Sequence, residues 1–173
     1  SFFTSYIQTR EIISSTIDIS RNIPDSDLKD AIEIKVYDEL ALDSSVEYTI
    51  SYFETDSKES KNRSFNVFII DLKLLTSKLA PIKEKTHYID FVTTAPFLIK
   101  ALYQKNFIEP DGTQAFVYFQ KNDAFLTIYK NGAYLYSKSL HYSLDEMNEK
   151  FCELIGERID EEEFYKILTK EGL

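Results

Sequence analysis

The sequence predicts a mixed α/β fold, and three observations predict it. Segments of alternating polar and apolar residues interleave with segments whose apolar residues recur every three or four positions. The order read along the chain is strand, helix, strand, strand, helix, strand, helix, then three meandering strands and two helices. That order suits neither an all-β sandwich nor a helical bundle. The 173 residues are 43% hydrophobic and 28% charged, the balance of a folded globular chain with room for one sizeable core or two small ones.

Residues 2–19 alternate loosely and carry Ile7, Ile12, Ile13, Thr16, Ile17 and Ile19, which predicts one or two strands. Pro24 with Asp25 or Ser26 opens a helix, and Leu28, Ile32, Val36 and Leu40 form its apolar stripe. "VEYTISYFE" and "SFNVFIID" read as two strands joined by the polar loop 55–63, whose Lys58, Lys61 and Arg63 are expected to be solvated. A short helix is expected from Leu72 to Leu79, capped by Asp71 and stopped near Pro81. "THYIDFV" predicts a strand, and "TAPFLIKALYQKN" a helix with Pro96 in its first turn.

Gln114 to Leu140 reads as three strands with turns at Lys121–Asp123 and Asn131–Gly132, the second fitting a type I′ hairpin. A helix follows, with Ser143 and Glu146 as a capping box and Leu144, Met147, Phe151, Leu154 and Ile155 on one face. The last helix turns Phe164, Ile167 and Leu168 inward.

Lys and Arg total 20 against 29 Asp and Glu, a net charge of −9. Such a field disfavours nucleic acid and anionic membrane surfaces. No run of about 18 apolar residues is present to span a bilayer. The single cysteine, Cys152, cannot form an internal disulfide and suits a reducing compartment. The chain starts at Ser1 without a signal peptide, which reads as an excised or processed form.

The glycine-rich phosphate loops, the helical zinc motif, the EF-hand run and the nucleophile elbow are all missing. His87 and His141 stand in separate segments without neighbouring cysteine ligands, so no metal is expected. Asp90, at an apolar strand, could hold magnesium or equally cap a helix. Asp160 to Glu163 point in different directions around a helix and make no carboxylate pair. Ser137, Lys138 and Ser139 are the best remaining polar cluster, but they lack a glycine. The turn at Gln120, Lys121, Asn122 and Asp123 has no glycine to let a phosphate approach its amides, and Asp123 would repel one.

Three stretches together resemble actin-like proteins of the PilM and FtsA type, including the cytoplasmic part of GspL-like secretion proteins. They are "IISSTIDISRNIPDSDLKDAIEIKVYDEL", "FNVFIIDLKLLTSKLAPIKEKTHYIDFVTTAPFLIKALY" and "QAFVYFQKNDAFLTIYKNGAYLYSKSLHYSLDEMNEKF". The resemblance implies a partial actin-like (ribonuclease H-like) fold, a mixed sheet with helices and an inserted α+β subdomain. It implies a strand region of the first domain at 1–23 and the inserted subdomain at 24–93. A return helix and linker follow at 94–113, and the start of the second domain at 114–173. At the family's phosphate turn this chain has Tyr118 or Phe119 in place of the aspartate, and no glycine follows.

The resemblance therefore implies a non-catalytic scaffold without a cofactor, in a type IV pilus, type II secretion or DNA-uptake machine. Its partners would be an assembly ATPase and inner-membrane assembly proteins, with a homodimer as a further arrangement. It would sit in the cytoplasm at the inner face of the bacterial inner membrane. An ATP- and magnesium-binding assembly protein that needs its missing N-terminal region is the alternative. The expected protein surface is the sheet edge at Tyr48, Tyr52 and Phe53, unless these rings pack on the Leu28–Leu40 helix.

Overall fold

The computed structural model describes residues 4–55 and 61–170. The predicted loop residue Lys58 lies outside the described residues. Two compact units divide the chain, Ser1–Leu98 and Ile99–Leu173.

In the first unit β4 (Asn62–Asp71) is the middle strand of an antiparallel sheet, between β2 (Ile13–Ser20) and β3 (Tyr48–Thr55). Its sequence explains the central place. Phe65, Val67 and Ile69 point to one face while Phe68 and Ile70 point to the other, the pattern of a strand covered on both sides. Helix α1 (Leu28–Glu39) lays Ile32 and Val36 against Ile17, Ile19, Phe65, Val67 and Ile69. Each of these buried side chains contributes roughly 1.5–3 kcal/mol relative to exposure. The opposite face carries an aromatic cluster in which Phe97 meets Phe68 at 5.0 Å and Phe53 at 5.6 Å between centroids. β1 (Thr4–Ile7) pairs in parallel with β5 (Phe91–Thr94).

Several expectations need correction here. Helix α2 runs from Leu72 to Thr86 and passes through Pro81 instead of ending before it. Proline removes one hydrogen bond to the residue four back, Ser77; both residues are exposed, so water can satisfy the freed carbonyl. The predicted strand at "THYIDFV" starts only at Phe91, because His87 takes a left-handed conformation (φ 65°) and closes α2. Arg63 is not a solvated loop residue. It lies in β4 and binds the Glu54 carboxylate through two nitrogens, at 3.0 and 2.8 Å. The same guanidinium reaches Asp25 at 2.6 Å and covers the Phe65 ring.

Helix α3 (Ala95–Gln104) bridges the sequence boundary between the units. In the second unit β6 (Thr113–Phe119), β7 (Ala124–Lys130) and β8 (Ala133–Ser139) form an antiparallel meander. Phe125, Thr127 and Tyr129 of β7 are buried, and Tyr103 packs on Tyr129 and Phe116. Asn131 (φ 50°) and Gly132 (φ 74°) make the expected type I′ turn. A Cβ on Gly132 would also come within 2.9 Å of Pro110 Cβ. Helix α4 (Leu144–Ile155) has the predicted capping box and ends at Gly156. Helix α5 (Glu161–Lys170) buries Phe164 against Phe151. Leu154 and Ile155 do not join that packing: Leu154 is 85% exposed.

Candidate functional site

The Gln120–Asp123 turn joins β6 to β7, and its tightness follows from strand register. Phe119 pairs with Ala124, leaving four residues to reverse the chain, and the Gln120 amide donates to the Asp123 carbonyl at 2.7 Å. The carbonyls of Gln120 and Lys121 face the start of α4. They accept the amides of Leu144 at 3.1 Å and Asp145 at 2.9 Å. The next two amides of that helix are also occupied. Glu146 donates to Ser143 Oγ at 3.4 Å, and Met147 to the Ser143 carbonyl at 2.9 Å.

A helix start ordinarily offers four unpaired amides and a positive dipole end, which together attract anions. Here the four amides Ser143 to Glu146 are taken by protein oxygens, that of Ser143 by Glu146 Oε2, and the Asp145 and Glu146 carboxylates occupy the same turn. The turn therefore meets the helix as an acceptor, carbonyls outward to the helix amides. The side chains add to this. Lys121 pairs with Glu161 of α5, which holds the Glu161 carboxyl below its ordinary range and the lysine ammonium above its own. Asp123 is 4% exposed, so it sits inside the fold and not at the tip, where the sequence had placed a charge facing an incoming phosphate. Asn122 is exposed.

The other sequence candidates separate in space. Ser137 is buried and accepts the Tyr134 hydroxyl at 2.6 Å, whereas Lys138, one residue on, points to the other face of the sheet and is exposed. They do not form one cluster. Burial pushes the Tyr134 hydroxyl up to about 12 and raises Tyr129 further. Asp71 caps α2, accepting the amides of Lys73 at 2.7 Å and Leu74 at 3.1 Å, as read from the sequence. Asp160 accepts the Glu163 amide at 2.8 Å, and Glu162 pairs with Lys166 at 2.9 Å. Among the described residues no group of three or more His, Cys, Asp or Glu is placed to hold a metal ion.

Tyr48 and Tyr52 lie on the α1 face of the sheet and are half-buried. Tyr48 meets Tyr37 of α1 edge-on at 6.0 Å, and Tyr52 meets Phe65 at 5.9 Å. Phe53 points to the other face and stacks on Phe68 at 5.8 Å. These rings are packing groups of the first unit, while the backbone edge of β3 pairs only with β4 among the described residues. The carbonyl-to-amide junction between the turn and α4 leaves no mark in the sequence. The Ser143–Glu146 capping box marked the helix start, but nothing local says which loop lies against it.

No protein-family model and no curated protein matches the chain. Among solved structures, the PilM-PilN type IV pilus biogenesis complex aligns with a TM-score of 0.75 at 12% identity, over 99% of this chain and 51% of that one. The fold is actin-like, of the PilM type. A Bacteroides thetaiotaomicron VPI-5482 protein described as having an actin-like ATPase fold and unknown function aligns at TM-score 0.43 and 12% identity, over 98% of this chain and 65% of that one. The chain thus spans about half the length of the PilM-type structure and less than two thirds of the second. In this actin-like frame the meander and α4 supply the turn and helix start described above.

Proposed function

We propose that this chain belongs to a non-catalytic actin-like scaffold in a type IV pilus, type II secretion or DNA-uptake machine. It holds an assembly ATPase and inner-membrane assembly proteins in place and uses no nucleotide of its own. The carrying observation is the Gln120–Asp123 turn, whose outward groups are carbonyls already bonded to the amides of Leu144 and Asp145. A triphosphate there would have to displace two backbone hydrogen bonds and face the Asp145 and Glu146 carboxylates. The likeness to a PilM-PilN complex supports the kind of machine, and none of the described helices is long and apolar enough to cross a membrane.

Two measurements test the reading. Calorimetric titration of the full-length protein with Mg-ATP is expected to give no binding, and micromolar affinity would overturn the proposal in favour of an ATP-binding assembly protein. Titration against the purified assembly ATPase and inner-membrane proteins of the same machine is expected to give saturable binding to at least one. A blank result with all of them removes the scaffold.

A further inference from the structure

Asn131–Gly132 is the one Asn-Gly pair in the chain, and such a pair carries chemistry of its own. Glycine has no side chain to obstruct its nitrogen, so the Gly132 nitrogen is able to attack Asn131 Cγ. A new N–C bond closes a succinimide ring, and the carboxamide nitrogen leaves as ammonia, taking up the Gly132 amide proton through water. Water then opens the ring at either carbonyl. One opening gives Asp. The other gives isoaspartate, in which the backbone runs through the side chain and gains a methylene.

The fold holds this reaction back. Asn131 (φ 50°) and Gly132 (φ 74°) form a type I′ turn. In that turn ψ of the first central residue is about +30°, which points the Gly132 nitrogen away from Asn131 Cγ. The turn is also seated on the segment before β6. The Asn131 amide donates to the Gly112 carbonyl at 2.8 Å. Gly132 lies so close to that segment that a Cβ on it would be 2.9 Å from Pro110 Cβ and 3.8 Å from the Tyr103 ring. Tyr103 is itself fixed by a 2.8 Å bond to Gln114. The Asn131 side chain is exposed to water, whereas Gly132 is half-buried and has no room to rotate until the turn leaves its seat. The product matters because the hairpin is short. Lys130 pairs with Ala133 and buried Tyr129 with Tyr134 across a two-residue turn, and an added backbone atom no longer fits it.

We propose that Asn131 is a self-modification site gated by opening of the β7–β8 turn, and that its isoaspartyl product keeps the hairpin from closing again. Chains that open often are marked, and chains that stay closed are spared. The chemistry is the same whichever machine the chain serves and needs no nucleotide.

Peptide mapping by liquid chromatography and mass spectrometry reads the result on the 173-residue chain, aged in mildly alkaline buffer with and without guanidinium chloride. Exchange of amide for acid raises the mass of the peptide that holds Asn131, and chromatography separates Asp from isoaspartate. The denatured rate is expected to exceed the native rate at least about tenfold. Pro110→Gly loosens the seat and should raise the native rate at least about threefold while leaving the denatured rate unchanged. Pro110→Ala, the gentler variant, should move it in the same direction, and far-UV circular dichroism checks that both keep the fold. Asn131→Gly suits the positive φ and carries no carboxamide, so its peptide should show no mass gain. After refolding, the isoaspartyl fraction should unfold at lower denaturant than Asn131→Asp, which has the same charge on an ordinary backbone. Equal native and denatured rates overturn the gating, and so do native rates in both Pro110 variants equal to that of the wild type. An isoaspartyl fraction as stable as Asn131→Asp overturns the block on closing.

Discussion

Helix α4 starts on two kinds of contact, and removing them one at a time separates a structural cap from an anion site. In Glu146→Ala the 2.5 Å bond from the Ser143 amide to Glu146 Oε2 is lost. Ser143 is 7% exposed, so its amide is left poorly hydrated, and a charge-assisted bond of this kind is worth about 1.5–3 kcal/mol. In Ser143→Ala the lost contact is the 3.4 Å bond from the Glu146 amide to Ser143 Oγ, at the long end of hydrogen bonding. Its cost should fall near the lower end for an N-cap, about 0.5–1 kcal/mol. The ordering is the prediction: Glu146→Ala destabilises more than Ser143→Ala in urea unfolding followed by far-UV circular dichroism. Neither variant should gain affinity for Mg-ATP, because the Leu144 and Asp145 amides remain bonded to the turn. Equal or reversed costs would refute the contact assignment. Nucleotide binding by either variant would refute the claim that the turn carbonyls seal the helix start.

Other outcomes follow from the same structure. Val67→Ala, at a position 0% exposed in the sheet core, should cost about 2–4 kcal/mol in the same unfolding assay. Asp71→Ala should cost about 1 kcal/mol through the loss of two amide bonds at the start of α2. On the acid side, Arg63 holds the Glu54 carboxyl below its ordinary 4.5, and Lys121 does the same for Glu161. Their contribution is present above 4.5 and is lost as pH falls through the folded-state values, so acid titration should weaken the fold there, and Glu161→Gln should flatten its share. On the alkaline side, Tyr129 and Tyr134 titrate above their ordinary 10 because of burial, Tyr134 at about 12. Stability is full below 10 and should fall as pH rises from 10 towards 12, read by circular dichroism beside tyrosinate absorbance.

The sequence made legible those parts of the fold that repeat at a fixed period or carry a local cap. Period-two runs located β4 and the meander, and Leu28, Ile32 and Val36 located α1. Asp71, Ser143 and Asn131–Gly132 located two helix starts and a hairpin, because each sets its geometry within three or four residues. Sequence and structure part where tertiary surroundings decide. Pro81 predicts a stop, yet an exposed helix can leave a carbonyl to water and continue. His87 gave no sign of its left-handed backbone, a conformation more usual for glycine or asparagine. Leu154 and Ile155 share the apolar stripe of α4 on a helical wheel, and only the placement of α5 shows that this stripe is covered at one end. The site followed the same division. The lack of glycine in the Gln120–Asp123 turn was visible in the residues. The use of its carbonyls was not, because that contact joins positions more than twenty residues apart.

The ring cluster of Tyr103, Phe116, Tyr129 and Tyr134 has a spectroscopic consequence. With no tryptophan in the chain, tyrosine dominates the ultraviolet emission. Tyr129, shielded from water between neighbouring rings, should give an asymmetric near-ultraviolet dichroic band that vanishes when the meander opens. Tyrosines of the first unit add bands of their own, so the difference spectrum between wild type and Tyr129→Phe isolates the contribution of the meander.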